Sequence, residues 1–176
     1  MTYSKTLAAA GLTAALLMAG SARAETTVEL KGTHLCCGAC VRAADGILKG
    51  IEGVTAKCDA KAGTIAITAK DDAAAQTALD ALAAGGFHGD TGNKALAQKD
   101  DSGVAKGKVK TLTLTGIHNC CGQCNGKIVN ALKSVNGVVG NTAKPKNDTF
   151  EVTGEFEAED VVKALMAAGF HVKVKQ

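Results

Sequence analysis

The alternation of apolar and polar positions predicts one string of elements, and the chain carries that string twice. From Thr27 to Lys31 the pattern alternates, with Val28 and Leu30 on one face, as in a half-buried strand. Val41, Ala44, Leu48 and Ile51 then fall at spacings of three and four, one face of a helix punctuated at its end by Gly50 and Gly53. Val54, Ala56 and Cys58 alternate as a second strand, 60–63 makes a turn, and Ile65 and Ile67 mark a third strand. Asp71 and Asp72 open a second helix, where carboxylates complement the positive helix end; its inner face is Ala75, Leu79, Leu82 and Ala83. Gly85-Gly86 stops it, and Phe87-His88 starts a short last strand.

The same order returns after a break. Leu112 and Leu114 match Val28 and Leu30, and Ile128, Leu132 and Val135 mark the next helix. Asn136-Gly137-Val138 corresponds to Glu52-Gly53-Val54. Lys144 to Asp148 is a hairpin turn holding the only proline, Pro145, and Phe150 and Val152 form the following strand. Ala158 to Ala168 is the second helix, with Val161, Val162, Leu165 and Met166 on its buried side. Gly169-Phe170-His171 parallels Gly86-Phe87-His88, and Val172 and Val174 continue the last strand. Each copy therefore reads β-α-β-β-α-β. The expected fold class is α+β: two ferredoxin-like sandwiches in tandem, each with both helices on one face of a four-stranded sheet. The first repeat spans 25–90 and the second 108–176. Residues 91–107, rich in Gly, Lys, Asp and Ala without periodicity, read as an exposed linker.

Composition narrows the function classes. There is no Trp and few Phe or Tyr, so the core is built from small side chains in compact layers and not around an aromatic pocket. The net charge of +3 comes without a basic run interleaved with aromatics, so nucleic acid is not an expected partner. Residues 1–24 read as a secretory signal peptide: Lys5, an apolar run from Leu7 to Ala19, then Ser21-Ala22-Arg23-Ala24 with cleavage after Ala24. The run is too short to span a bilayer, and no transmembrane segment is expected in the mature chain. Losing Lys5 and Arg23 lowers the charge to about +1. The expected location is periplasmic or secreted, where unprotected thiols pair or oxidise.

Cysteine placement then matters most. Gly32-Thr33-His34-Leu35-Cys36-Cys37-Gly38-Ala39-Cys40 recurs as Gly116-Ile117-His118-Asn119-Cys120-Cys121-Gly122-Gln123-Cys124. These two H-x-C-C-x-x-C stretches hold six of the seven cysteines. A Cys-x-x-Cys at a helix start puts two sulfurs on one side, and the helix N-terminus favours the thiolate, the form that binds metal. The expected ligands are Cys36, Cys37, Cys40 and His34 in the first repeat, and Cys120, Cys121, Cys124 and His118 in the second. The last strand starts at the same end as the Cys loop, so His88 and His171 are each expected to approach their own repeat's loop. Thiolates select soft or borderline ions, Cu(I), Zn(II) or Hg(II), with one heavy-metal ion expected per repeat. Cys58 aligns with Thr142 and is expected to be a buried core thiol.

With its Cys-x-x-Cys after strand one, its Gly53-Val54 and Gly137-Val138 pairs and its late Gly-Phe pairs, the chain resembles a tandem of heavy-metal-associated (HMA) domains, as in copper chaperones, the N-terminal domains of copper-transporting ATPases and the periplasmic mercury-binding protein. The family motif reads G-M-T/H-C-x-x-C. Leu35 and Asn119 stand where it has Met, and an extra Cys and His appear, a richer set that suits zinc, cadmium or mercury as well as Cu(I). The resemblance implies a non-enzymatic binding protein that sequesters or relays an ion, with a membrane metal transporter or another metal-binding protein as partner. There is no Ser-His-Asp set, phosphate loop or catalytic carboxylate pair. Two alternatives remain at this level: a thiol–disulfide redox protein using the C-G-x-C pairs, and a transporter-docking adaptor. If the leader reading holds, N-terminal sequencing of the exported protein will begin at Glu25; a retained Lys5 would contradict it.

Overall fold

The structure, a computed structural model, describes residues 24–175. Apart from Ala24, the expected signal peptide lies outside the described residues. The first repeat comprises β1 (Thr26–Lys31), α1 (Gly38–Lys49), β2 (Val54–Asp59), β3 (Thr64–Ala69) and α2 (Asp72–Ala84). The second comprises β4 (Lys108–Thr115), α3 (Gly122–Lys133), β5 (Val138–Asn141), β6 (Phe150–Glu157), α4 (Ala158–Ala167) and β7 (Lys173–Val174). The fold is α+β, two ferredoxin-like units in tandem. The second sheet runs β5-β6-β4-β7 and the first β1-β3-β2, with antiparallel neighbours throughout. Among the described residues no helix is long and apolar enough to cross a membrane.

The amphipathic patterns act as expected, with one shift. Val28, Leu30, Ile65 and Ile67 point to the core, against Ala75, Leu79 and Leu82 of α2. Asp71 caps α2 by accepting from the Ala74 amide at 2.8 Å. On α1 the buried stripe is Cys40, Ala44 and Leu48, one position earlier than Val41 would place it, and Val41 is half-buried. The same stripe on α3 is Cys124, Ile128 and Leu132. On α4 Val161, Val162 and Leu165 are buried while Met166 is half-exposed.

The first repeat departs from expectation at its last strand. Phe87-His88 does not open a fourth strand there. That position is held by a single antiparallel pair, Lys31 with Asp90, whose two backbone hydrogen bonds are each 2.8 Å. In both repeats the two residues after the glycine bond to the other repeat, and the chain rejoins its own sheet two residues beyond the histidine, at Asp90 in the first and at Lys173 in the second. Phe87 pairs with Phe170, the His88 amide donates to Gly169 O at 3.1 Å, and the His171 amide donates to Gly86 O at 3.0 Å. The two Gly-Phe-His turns thus satisfy their backbone groups on each other.

Segment 91–107 is also not a free tether. Leu96 and Ser102 are buried. Gln98 donates to Leu79 O and Phe87 O at 3.1 and 2.9 Å and accepts from the Gly89 amide at 3.0 Å. The Val174 amide donates to Ser102 O at 2.7 Å. A segment without helix or strand periodicity has packed by side-chain-to-backbone bonds, which no periodic pattern signals.

Gly86 and Gly169 make the close approach possible. Both have positive φ, +82° and +91°. A Cβ on Gly86 would overlap the backbone of Gly116 to His118, and one on Gly169 the backbone of Gly32 to His34. Each turn therefore lies directly on the other repeat's Cys loop. Gly86→Ala and Gly169→Ala are each expected to destabilise the protein by about 1–3 kcal/mol, measured by urea unfolding. A change within ~0.5 kcal/mol would contradict this packing.

Candidate metal centre

Three sulfurs converge in each repeat for local reasons. Cys37 and Cys121 are the N-caps of α1 and α3, with extended backbones that turn the chain into the helix. Cys40 and Cys124 stand one turn later on the buried stripe and are fully buried. Cys36 and Cys120 precede the caps and fold back over the first turn, 3.6 Å from Cys40 Sγ and 3.5 Å from Cys124 Sγ respectively.

Docking of the repeats then merges the two sets. Cys36 Sγ lies 3.4 Å from Cys124 and 3.8 Å from Cys121. Cys40 Sγ lies 3.6 Å from Cys120 and 3.7 Å from Cys124, and Cys37 Sγ lies 3.9 Å from Cys120. Within the repeats, Cys37–Cys40 and Cys121–Cys124 are both 3.8 Å. The pairs Cys36–Cys37, Cys37–Cys121 and Cys120–Cys121 close within 4.8 Å. Every sulfur thus neighbours four of the other five, which is the connectivity of an octahedron. Two of the all-cysteine groupings cross the repeats, Cys36-Cys37-Cys121 and Cys37-Cys40-Cys120, and a third, Cys120-Cys121-Cys124, lies within the second. All seven cysteines are free thiols.

The histidines fall into two classes. His34 groups with Cys36 and Cys124, and its ring packs on Phe170 of the second repeat at 4.5 Å. His118 stacks on Phe87 of the first repeat at 4.4 Å. The Nε2 atoms of both rings are buried without a hydrogen-bond partner. Burial lowers both pKa values, His34 to about 4 with added repulsion from Lys127 and His118, so both rings are neutral and carry a lone pair at neutral pH.

His88 and His171 behave differently from expectation. Each approaches the other, Nδ1 to Nδ1 at 3.3 Å, and neither joins the sulfur groupings found among the described residues. The reason is the Gly-Phe-His turn, which pairs with its counterpart before the chain rejoins its own sheet two residues later. His171 Nε2 lies 2.7 Å from Asp101 Oδ1 of the connecting segment. The carboxylate accepts, so in the neutral pair His171 Nδ1 accepts from His88 Nδ1–H.

Thiol acidity is uneven across the cluster. The backbone N–H groups of Cys40 and Ala39 hold Cys37 down at about 6, and the amides of Cys124 and Gln123 lower Cys121. Burial pushes Cys36, Cys120 and Cys124 well up. Cys58 is not the buried core thiol expected from the alternation. It is half-buried because β2 is an edge strand, and its thiol donates to Asp45 Oδ1 at 3.2 Å. Burial and that carboxylate raise its pKa to about 12.

Sequence reasoning missed the partners across the repeats: Gly86, Phe87, Gly169, Phe170 and Asp101. The recurring Gly-Phe-His triplet was the available signal, since a glycine that must be followed by an aromatic in both copies marks a close backbone approach as readily as a strand start.

No family model and no curated protein matches the chain. Solved structures do. Oxidized MerP from Ralstonia metallidurans CH34 is 25% identical, matching 40% of this chain and 100% of its own, with a TM-score of 0.36. The N-terminal domain of PacS from Synechocystis PCC6803 is 22% identical over 39% of this chain and 100% of its own, TM-score 0.36. The N-terminal soluble domains of Bacillus subtilis CopA match 87% of this chain and 95% of their own at 18% identity, TM-score 0.30. The HMA domain of a copper chaperone for superoxide dismutase is also among the matches. The chain is thus similar to heavy-metal-associated domains, and the CopA match spans both repeats.

The acidity pattern predicts the order of modification by a thiol alkylator. Cys37 will react first, with a rate that rises as the pH passes about 6 and its thiolate forms, followed by Cys121. Peptide mapping of brief iodoacetamide pulses at neutral pH checks this; Cys36 or Cys120 labelling ahead of both would contradict it.

Proposed function

We propose that this chain is an exported, non-enzymatic binding protein for soft heavy-metal ions, which it sequesters or relays through thiolates contributed by both repeats. The observation that carries the reading is the spacing of 3.4 to 3.9 Å in nine of the twelve neighbouring sulfur pairs, the other three closing within 4.8 Å. Sulfurs bound about 2.3 Å from a common ion stand ~3.8 Å apart in a tetrahedron and ~4.0 Å apart in a plane. The apo thiols therefore already sit near bound spacing, and their shared chemistry favours Cu(I), Zn(II) or Hg(II) over hard cations.

The roles differ by burial. Cys37 and Cys121, partly exposed and lowered in pKa, are the first thiolates to meet an incoming ion, and Cys40 and Cys124 close on it from the core. Stepwise exchange of thiolates at the exposed side would pass the ion to a membrane metal transporter or another metal-binding protein. His34 and His118, neutral with unpartnered Nε2 atoms, suit a ligand or a hydrogen-bonding support to the sulfurs. His88 and His171 are assigned to holding the repeats together.

A thiol–disulfide exchange activity is the second reading, and the lowered Cys37 pKa favours it. Against it, each of the six sulfurs sits among several others, so an attacking thiolate has no single resolving partner. An insulin-reduction assay separates the two; turnover like that of a dedicated oxidoreductase would replace the metal reading.

Anaerobic titration of the reduced chain with Cu(I), Zn(II) and Hg(II) against a competing chelator is expected to give stoichiometric binding, abolished by replacing all six clustered cysteines with Ser. Replacing His34 and His118 by Ala is expected to weaken binding by about 10- to 100-fold. Absence of tight binding by all three ions would overturn the proposal.

A further inference from the structure

We propose that the six thiols form one tetranuclear Cu(I) site shared by the repeats, and not one mononuclear site in each. The inference rests on the metal-binding reading above and specifies the ion and its number. Its ground is the octahedral connectivity of the sulfurs. Four faces of an octahedron can be chosen so that no two share an edge. Here one such set is Cys36-Cys37-Cys121, Cys37-Cys40-Cys120 and Cys120-Cys121-Cys124, together with Cys36-Cys40-Cys124, whose edges are 3.6, 3.7 and 3.4 Å. Each sulfur belongs to two of these faces. An ion in each face is three-coordinate, and each thiolate bridges two ions.

The same connectivity argues against tetrahedral ions. Cys36 and Cys120, Cys37 and Cys124, and Cys40 and Cys121 stand opposite one another, being the pairs absent from every contact and grouping. Any choice of four sulfurs includes at least one opposite pair, so no four are mutual neighbours. Zn(II) in a structural site takes four ligands in a tetrahedron, which the sulfurs alone do not offer without opening the cluster; a histidine such as His34, grouped with Cys36 and Cys124, would have to complete it and would leave the other sulfurs unused. Cu(I) accepts three thiolates.

Charge and surroundings agree. Loading releases the thiol protons to solvent, and four monovalent ions on six thiolates leave a net charge of −2. Lysines border the cluster on both sides: Lys61 and Lys127 line the cleft that reaches His34 and Cys36, and Lys146 lines the cleft that reaches His118 and Cys120. The anionic product therefore forms beside cationic side chains. Shared thiolates also make loading cooperative, because placing one ion fixes sulfurs that its neighbours use.

The test is anaerobic Cu(I) titration of the full chain, read by native mass spectrometry and X-ray absorption. Mass spectra are expected to pass from the apo form to four Cu(I) with little intermediate, and absorption to show a short copper–copper vector. Saturation below four, or four ions without that vector, overturns the proposal. Binding of no metal at all would fail the underlying reading instead. The informative variant is Cys36→Ser with Cys120→Ser, which removes one sulfur from each of the four faces yet keeps both Cys-x-x-Cys pairs. Shared loading predicts a fall from four ions to two or fewer with loss of the copper–copper vector. Independent sites predict two ions before and after. Circular dichroism of the variant controls for its fold.

Discussion

The constraint on which this protein depends is the reciprocal docking of each Gly-Phe-His turn on the other repeat's Cys loop. Gly86 and Gly169 let backbone meet backbone, Phe87 and Phe170 pair there, and each phenyl ring packs on the opposite repeat's histidine. The His34 amide donates to Gly169 O at 3.3 Å, which ties the start of one metal loop to the end of the other repeat's second helix. Without that contact each repeat would offer three sulfurs at an exposed loop. With it, six sulfurs face one another, and Cys40 and Cys124 touch across the boundary.

The docking also accounts for the features that look least like a pair of independent domains. Phe87-His88 and Phe170-His171 are both committed to the opposite repeat, so each chain rejoins its own sheet only beyond the histidine, as a single pair at Asp90 and as the short β7 at Lys173. The connecting segment is packed because its Gln98 bonds the Phe87 carbonyl and the Gly89 amide at that turn, and its Asp101 reaches His171 and Lys173. Asp101 is held below the usual carboxylate range: burial opposes this, but the Lys173 and His171 bonds outweigh it. Asp101, His171 and His88 form a continuous polar chain from the connecting segment through the second repeat into the first. Small units bury little surface alone, and pairing supplies what each lacks.

Much of this was legible in the residues. The doubled periodicity specified two α+β units, and the stripes Ala44–Leu48, Leu79–Leu82 and Val161–Leu165 proved to face their sheets. The crowding of Cys36, Cys37 and Cys40 at a helix start was equally plain. What periodicity cannot report is which surface meets a second unit, because it encodes only the face turned to the element's own sheet. Periodicity therefore puts His88 and His171 beside their own loops and divides the cysteines into two sets. The α1 stripe starts at Cys40 and not at Val41, so Cys40 is both ligand candidate and core residue. Cys58 followed the alternation of β2, but alternation does not distinguish an edge strand from a covered one.

The central claim is that sulfurs of both repeats hold the same ions. Anomalous diffraction from crystals of the metal-loaded chain tests it most directly, since it locates each ion relative to named sulfurs. The account predicts a compact group of four peaks between the repeats, three of the ions bound by cysteines from both Cys36–Cys40 and Cys120–Cys124 and the fourth by Cys120, Cys121 and Cys124, which the other ions share. Two separated peaks, each ligated only within its own repeat, would contradict it.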